Sequence, residues 1–353
     1  MNKKKILFFC IRGLGDTVIQ SFFISNLIKN NPNEIFYVIT NNRNKRILEL
    51  YKSNNLKIIS IDVSREFNFL TKLRIIFNLV KISYKLRNEK IDYGFDTSGD
   101  YREYLLFKLF FCKLFFIKFP KNHLFSKIIK PINYLSVLEN NFFSYVPKES
   151  TINIYEIFEI FFQTVAKKIN LKFTHNAYLN LKKCSNRKKI NKNIKIALNP
   201  FATVLSNNWS LVKWEELAKK LLRIDNISIY IFYSKTDEDK LNKFYKHKRI
   251  HFKCLTISAY LNNIRNMDLS ISSDSFSSHI SHYYNLRNII IYGSNNYKLF
   301  QPPNSISFFN SGGCKYYPCY NIPKCVDTSF EYTCINSITS DEVYEKTKLQ
   351  LIN

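Results

Sequence analysis

The stretch Lys5-Ile6-Leu7-Phe8-Phe9-Cys10-Ile11-Arg12-Gly13-Leu14-Gly15-Asp16 decides how this chain folds. Its apolar run has the length of a buried strand, and the apolar-periodic residues 18–28 that follow read as a helix. Between them lies a glycine turn, with a carboxylate on the first turn of the helix. Two of only seven glycines sit here, so the turn is expected to need positive φ or the close approach of a ligand. Strand, tight turn and helix together open an α/β sheet, whose strand ends and helix starts bind ligands. Asp16 is therefore the first candidate for chemistry, as a general base that takes a hydroxyl proton. A plain helix-cap role is equally open to it.

The same alternation runs outward along the chain. Strands are predicted at 5–11, 35–40, 56–61, 91–96 and 114–119, and helices at 17–29, 43–51, 70–88, 102–111 and 152–168. The polar, lysine-rich residues 182–193 read as a linker or exposed loop. Beyond it strands are predicted at 194–199, 227–233, 249–254, 268–272 and 288–292. Helices are predicted at 211–223, 238–245, 258–266 and 277–284. Short strands alternating with helices of about 10–15 residues are parallel βαβ units. The expected fold is α/β, with two Rossmann-like domains facing each other across a cleft. Residues 1–180 form the first domain, and 181–353 the second with a cysteine-rich tail.

Composition narrows the partners. The 353 residues suffice for two cores, and 46% hydrophobic with 23% charged residues fits a folded chain. The net charge of +26 suits a polyanionic partner. The lysines are scattered, and Asn, Ile, Phe and Tyr are also overused, so compositional drift accounts for part of that charge. No nucleic-acid recognition module is recognisable, and no nucleic acid is expected as partner. No window reaches the roughly 20 uncharged residues of a spanning helix, since Lys108, Lys113 and Lys118 interrupt the aromatic segment 104–119. The N-terminus lacks a full apolar region and a cleavage site. A cytoplasmic protein is expected, able to lie peripherally on the anionic inner face of an inner membrane. Cys314, Cys319, Cys325 and Cys334 have four, five and eight residues between successive members. That spacing is off-pattern for zinc, and reduced or paired structural thiols are the commoner reading.

Three further constellations follow predicted strands. Asn199-Pro200-Phe201-Ala202-Thr203, with Asn207-Asn208-Trp209-Ser210 and Lys213-Trp214, presents a polar loop ahead of a helix. Ser272-Ser273-Asp274-Ser275-Phe276-Ser277-Ser278-His279 offers hydroxyls, free backbone N–H groups and an imidazole at a helix start. That is a cradle for a diphosphate or an ordinary serine-rich cap. Asp274 would be a poor phosphate ligand and is expected to orient the loop or His279. Asp96-Thr97-Ser98-Gly99-Asp100-Tyr101-Arg102 is the weakest of the three, with Arg102 either an acceptor-phosphate ligand or a solvated helix-start residue. The N-terminal turn is not a dinucleotide fingerprint, because Val18 replaces its third glycine.

Together these pieces resemble glycosyltransferase family 9, the lipopolysaccharide heptosyltransferases, over nearly the whole chain. The matching residues are Arg12-Gly13-Leu14-Gly15-Asp16, Asn199-Pro200 with Trp209 and Trp214, Asp274-Ser275 with His279, Ile291-Tyr292-Gly293, and the tail ending Cys334-Ile335-Asn336. The resemblance implies a GT-B fold and inverting, metal-independent transfer of heptose. The donor would be a nucleotide sugar, ADP-linked, and the acceptor the phosphorylated inner core of lipopolysaccharide. No separate cofactor is implied. Asp16 would be the general base, with Arg12, Gly13, Gly15 and Arg102 on the acceptor side. Asn199, Pro200, Thr203, Asn207, Asp274, Ser275, Ser278 and His279 would hold the donor. The chain departs from the family's pattern at Asn207, where members often carry a lysine, and at Phe276, where a glycine is common. Arg12 or Lys213 is the cation that could compensate. The alternative is a GT-B protein without catalysis, or of different specificity, that binds an anionic glycolipid or another nucleotide sugar.

Overall fold

The computed structural model describes residues 3–61, 77–78, 80–84, 86–96, 113–116, 152–179, 193–320 and 323–352. The predicted helix 102–111, the candidate Arg102 and most of the linker 182–193 lie outside them. The chain divides into two compact units, residues 1–147 with 154–178, and residues 148–153 with 179–353.

The first unit is built on a five-stranded parallel sheet. Strands β1 (Lys5–Cys10), β2 (Ile35–Asn41), β3 (Leu56–Ile61), β4 (Tyr93–Asp96) and β5 (Lys113–Phe116) lie in the order β3-β2-β1-β4-β5. The central strand β1 pairs Phe8 with Val38 on one side and Phe95 on the other. Its apolar run is continuous because both faces are covered, as a parallel sheet requires. Helix α1 (Leu14–Asn30) is buried from Thr17 through Ile28. A helix enclosed on all sides must satisfy its own polar groups. Ser21 and Ser25 hydroxyls donate to the carbonyls of Val18 and Phe22, at 2.7 and 2.9 Å. Asn26 exchanges two bonds with the Thr174 backbone, at 2.7 and 3.0 Å. Against α1 packs α3 (Ile154–Lys168), whose Phe162 meets Phe8, Phe23 and Phe95 with ring centroids 5.4–6.1 Å apart. The short α2 (Asn42–Leu48) follows β2 directly.

The second unit has six parallel strands: β6 (Ile194–Asn199), β7 (Ile227–Tyr233), β8 (Ile250–Cys254), β9 (Leu269–Ser273), β10 (Arg287–Ile291) and β11 (Ile306–Phe308). They run in the order β11-β10-β9-β6-β7-β8. Helices α4 (Leu211–Leu221), α5 (Ile257–Ile264) and α6 (Phe276–Tyr283) are the crossovers the periodicity predicts. The helix predicted at 238–245 is instead a 3-10 helix, Lys235–Leu241. Its pairs Lys235–Glu238 and Lys240–Asp237 lie three residues apart, matching the 3-10 repeat, and only Leu241 among its residues is buried. Five elements among the described residues were not foreseen: the 3-10 turn Leu205–Asn207, α7 (Tyr297–Phe300), β11, α8 (Thr333–Asn336) and α9 (Ser340–Ile352). The C-terminal segment is tied to the unit through Trp209, whose indole N–H donates to Ile338 O at 3.0 Å. Trp209 also meets Trp214 edge to face at 5.2 Å.

Phe162 is fully buried at the meeting point of the first unit's aromatic core. Phe162→Ala is expected to destabilise that unit by about 3–5 kcal/mol. The check is a lowered urea midpoint in the transition reported by the first unit, with Phe162→Leu falling between the two.

Candidate active site

In each sheet the strand order reverses at one place, between β1 and β4 in the first unit and between β6 and β9 in the second. At such a point neighbouring connections leave in opposite directions and open a crevice outside the carboxyl ends of the strands, where α/β proteins bind ligands. The four strands flanking these points end at Cys10, Asp96, Asn199 and Ser273. The residues that follow them are the four constellations singled out in the sequence.

After β1 the chain is held at three successive carbonyls. Thr40 Oγ1 donates to Cys10 O at 2.7 Å, and Asn41 Nδ2 to Ile11 O at 3.0 Å. The buried Asn44 amide shares its hydrogens among Cys10 O, Arg12 O and Thr17 Oγ1, at 3.0, 2.8 and 2.7 Å. Asn41 also caps α2, its Oδ1 accepting from the N–H groups of Arg43 and Asn44. The turn is thus fixed by side chains of the neighbouring strand end. Gly13 is the N-cap of α1 with φ −58°, and Gly15 lies within that helix; neither has positive φ. The positive-φ half of that expectation is therefore corrected. A Cβ on Gly13 would stand 3.0 Å from Asp16 Oδ2, so the missing side chain makes room for the carboxylate. Asp16, Arg12 and Gly13 are exposed.

The second unit concentrates polar groups on Asp274, just past β9. The residue is 7% exposed, and Oδ2 accepts from Asn295 Nδ2 at 2.6 Å and Asn207 Nδ2 at 3.4 Å. Burial pushes its pKa up to about 6, partly opposed by the Asn295 bond. Burial disfavours the charged form, and a hydrogen bond to the carboxylate favours it. Asn207, buried in turn, accepts at Oδ1 from the N–H and hydroxyl of Ser294, both at 3.0 Å. A lysine could not accept those bonds. The loop carrying Asn207 presses against Gly293, where a Cβ would stand 1.9 Å from Ser206 O. Ser206 and Ser294 hydroxyls meet there at 2.8 Å.

Ser275 is the N-cap of α6, its Oγ accepting from Ser277 N at 3.4 Å. It is half-buried, at a helix end whose dipole favours an anion. The other donor-side candidates are placed differently. Asn199 is locked inside the sheet edge, accepting from Tyr260 Oη at 3.0 Å and donating to Ser270 Oγ at 3.2 Å. Pro200 O accepts from Ser273 Oγ at 2.9 Å, and Thr203 is exposed. The Ser278 hydroxyl donates to Ser275 O within its own turn, at 2.7 Å. His279 is buried, and its pKa is lowered to about 3 by burial and by His282, so its imidazole is neutral at physiological pH. Phe276 packs on Tyr260 with ring centroids 5.5 Å apart. The Lys213 ammonium donates to the carbonyls of Asn336 and Ile338; it braces the C-terminal segment. Ser294 and Asn295 were missed in the sequence, although their position right after β10 and Gly293 was the available signal.

The tail cysteines are free, with Cys325 and Cys334 buried. Burial and the neighbouring thiols push Cys334 up to about 11 and raise Cys319. Among the described residues no group of three or more His, Cys, Asp or Glu is arranged to hold a metal ion.

The family profile described as glycosyltransferase family 9 (heptosyltransferase) matches residues 135–326, more than half of the chain. The chain belongs to glycosyltransferase family 9. Family membership supports sugar transfer as its activity. The fold agrees: a family 9 glycosyltransferase from Veillonella parvula superposes with a TM-score of 0.71 at 16% identity, covering 100% of this chain and 98% of that one. The E. coli heptosyltransferase WaaC, solved with ADP-2-deoxy-2-fluoro heptose, gives 0.65 at 13% identity, covering 98% and 99%. E. coli ADP-heptose LPS heptosyltransferase II gives 0.66 at 14%, covering 99% and 98%. No curated protein sequence matches at a significant level. The two Rossmann-like units are those of a GT-B glycosyltransferase.

Two expectations follow for this family 9 chain. Gly293→Ala must separate the strand end from Ser206, and is expected to cost about 1–3 kcal/mol, read as a lower unfolding midpoint of the second unit. For Asp274, the folded carboxyl holds its proton up to about pH 6, whereas the unfolded one releases it near 3.8. Stability therefore falls as pH rises through that window. Asp274→Asn is expected to raise the urea midpoint at pH 8, by an amount worth about 3 kcal/mol, and to leave it unchanged at pH 3.5.

Proposed function

We propose that this protein is an inverting heptosyltransferase that transfers the sugar of an ADP-activated donor to a hydroxyl of the phosphorylated inner core of lipopolysaccharide. The observation that carries this reading is the family 9 match, whose span contains Asn207, Asp274, Ser275 and Gly293. The ADP-linked donor is supported by the relatives solved with ADP and an ADP-heptose analogue. The LPS acceptor is supported by the description of heptosyltransferase II.

In this reading the Asp16 carboxylate takes the proton of the acceptor hydroxyl as its oxygen bonds to the anomeric carbon. The bond from that carbon to the donor phosphate breaks, and the electron pair leaves with ADP. Attack opposite the leaving group inverts the anomeric centre. The Ser275 hydroxyl and the N–H groups opening α6 meet the charge that develops on the diphosphate. His279 is neutral, so it contributes as a neutral hydrogen-bonding group. Arg12, exposed beside Asp16, and Arg102 are the proposed acceptor-phosphate contacts. The chain would work in the cytoplasm, with its net charge of +26 favouring residence on an anionic membrane face. No described helix is long and apolar enough to cross a membrane.

Asn207 favours a second reading of the donor. It stands where family members often carry a lysine and is engaged with Ser294 and Asp274, so the second reading is a family 9 protein of different donor specificity.

Asp16→Asn is expected to lower transfer by about 10²–10⁴-fold while donor affinity stays near wild type. ADP release with a heptose-deficient core acceptor, beside ADP binding by calorimetry, checks both. Full transfer by Asp16→Asn removes the base assignment. Turnover with a UDP- or GDP-sugar in place of ADP-heptose decides for the second donor reading.

A further inference from the structure

The mechanism above places the donor diphosphate at Ser275 and the start of α6, next in sequence to Asp274, and gives no task to the cysteine-rich segment. That segment nevertheless reaches the same carboxyl. Of the two amides on Asp274 Oδ2, Asn207 at 3.4 Å is at the long limit of a hydrogen bond, and Asn295 at 2.6 Å is short. The orientation of the carboxyl therefore depends chiefly on Asn295. Asn295 lies on the loop after β10, where the segment 317–320 grips two successive residues. Tyr317 Oη donates to Asn295 O at 2.8 Å. Tyr320 N donates to Ser294 O at 3.1 Å, and Ser294 Oγ lies 2.7 Å from Tyr320 O. Ser294 in turn holds Asn207. With the chain from Tyr317 to Tyr320, these bonds complete a loop of contacts through Asn295, Asp274, Asn207 and Ser294.

Two observations show that the grip is built. Tyr320 is held at φ +55°, a left-handed conformation that a bulky residue keeps only where its surroundings fix it. The Tyr317 ring packs at 4.5 Å from Phe309, and burial raises its hydroxyl pKa, so it remains a donor across the working pH range.

We propose that Asn295 is a positioning residue for Asp274, and that Tyr317 holds Asn295 in place, which makes the cysteine-rich segment a working wall of the donor site. The proposal rests on the reading that the second unit binds the donor. The titratable groups of the adjoining elements are His279, His282 and Tyr283 on α6, Tyr260 packed on Phe276, Tyr292 at the end of the strand before the loop, Tyr297 and Lys298 on α7, and Tyr317 and Tyr320 on the segment itself. None of these, and no cation, contributes to the raised pKa of Asp274, whose causes are burial and Asn295 alone.

The test compares the full-length chain with Asn295→Leu and the milder Tyr317→Phe. The first readout needs no ligand: the pH dependence of the unfolding midpoint relative to Asp274→Asn, which reports the titration of Asp274. Both variants are expected to move that titration to higher pH, Asn295→Leu more, because the bond that favours the carboxylate is lost or loosened. The second readout is steady-state kinetics with ADP-heptose. Tyr317→Phe is expected to raise the donor KM about tenfold with kcat nearly unchanged, the effect of one lost hydrogen bond. A wild-type titration and wild-type KM in a folded Tyr317→Phe would overturn the proposal. If the wild-type protein neither binds ADP nor turns over the donor, the functional reading fails. The titration still judges whether Asn295 and Tyr317 position Asp274, and an unmoved titration in Asn295→Leu sinks that by itself.

Discussion

Parallel pairing is the constraint on which the rest of this structure depends. A parallel sheet puts every strand's carboxyl end on one edge, and its crossover helices must cover both faces. Where the strand order reverses, the edge opens into a crevice that no helix fills. Both sheets here are wholly parallel, and each reverses once, at β1/β4 and β6/β9. Every polar loop with a claim to chemistry follows one of those four strands or the neighbouring β10. The location of the site is thus a consequence of topology before any side chain is considered.

Onto that edge each unit adds a different local solution. In the first, Thr40, Asn41 and Asn44 bind the carbonyls of residues 10–12 and leave Asp16 exposed on a fixed turn. In the second, a carboxyl is withdrawn from water and held by two carboxamides, with its pKa raised to about 6. An exposed carboxylate suits proton abstraction from a substrate that brings its own hydroxyl. A buried one, without a cation, suits a neutral partner. The difference follows from burial and hydrogen bonding, since both residues are aspartates.

The departures from the family's pattern take on meaning in this setting. Asn207 stands where a lysine is common, yet it bridges Ser294 and Asp274 in a way that requires an acceptor as well as a donor. Phe276, where glycine is common, packs on Tyr260, which in turn fixes Asn199. Lys213, a candidate substitute for the missing cation, is instead bound to carbonyls of the C-terminal segment. At Asn207 carboxamide hydrogen bonds do the holding, and at Phe276 aromatic packing does.

The sequence by itself determined the architecture. Apolar runs of strand length alternating with apolar-periodic helices leave little but two parallel sheets, and the strands at 56–61, 194–199 and 227–233 lie where the pattern puts them. Asp16 and Asp274-Ser275 were legible for the same reason, as polar residues at strand ends. The 3-10 helix at Lys235–Leu241 was misread because its charge pairs, three residues apart, suit a tighter repeat that hydrophobic patterning does not report. Only the tertiary structure decided which candidates converge. Asn199, Ser278 and Lys213 turn to internal partners, while Ser294, Asn295, Tyr317 and Tyr320 close around Asp274. Apart from the Ser278 bond within its own turn, those contacts join residues 21 to 125 positions apart. Local periodicity records which face of an element is buried, and carries no information about which distant loop comes to meet it.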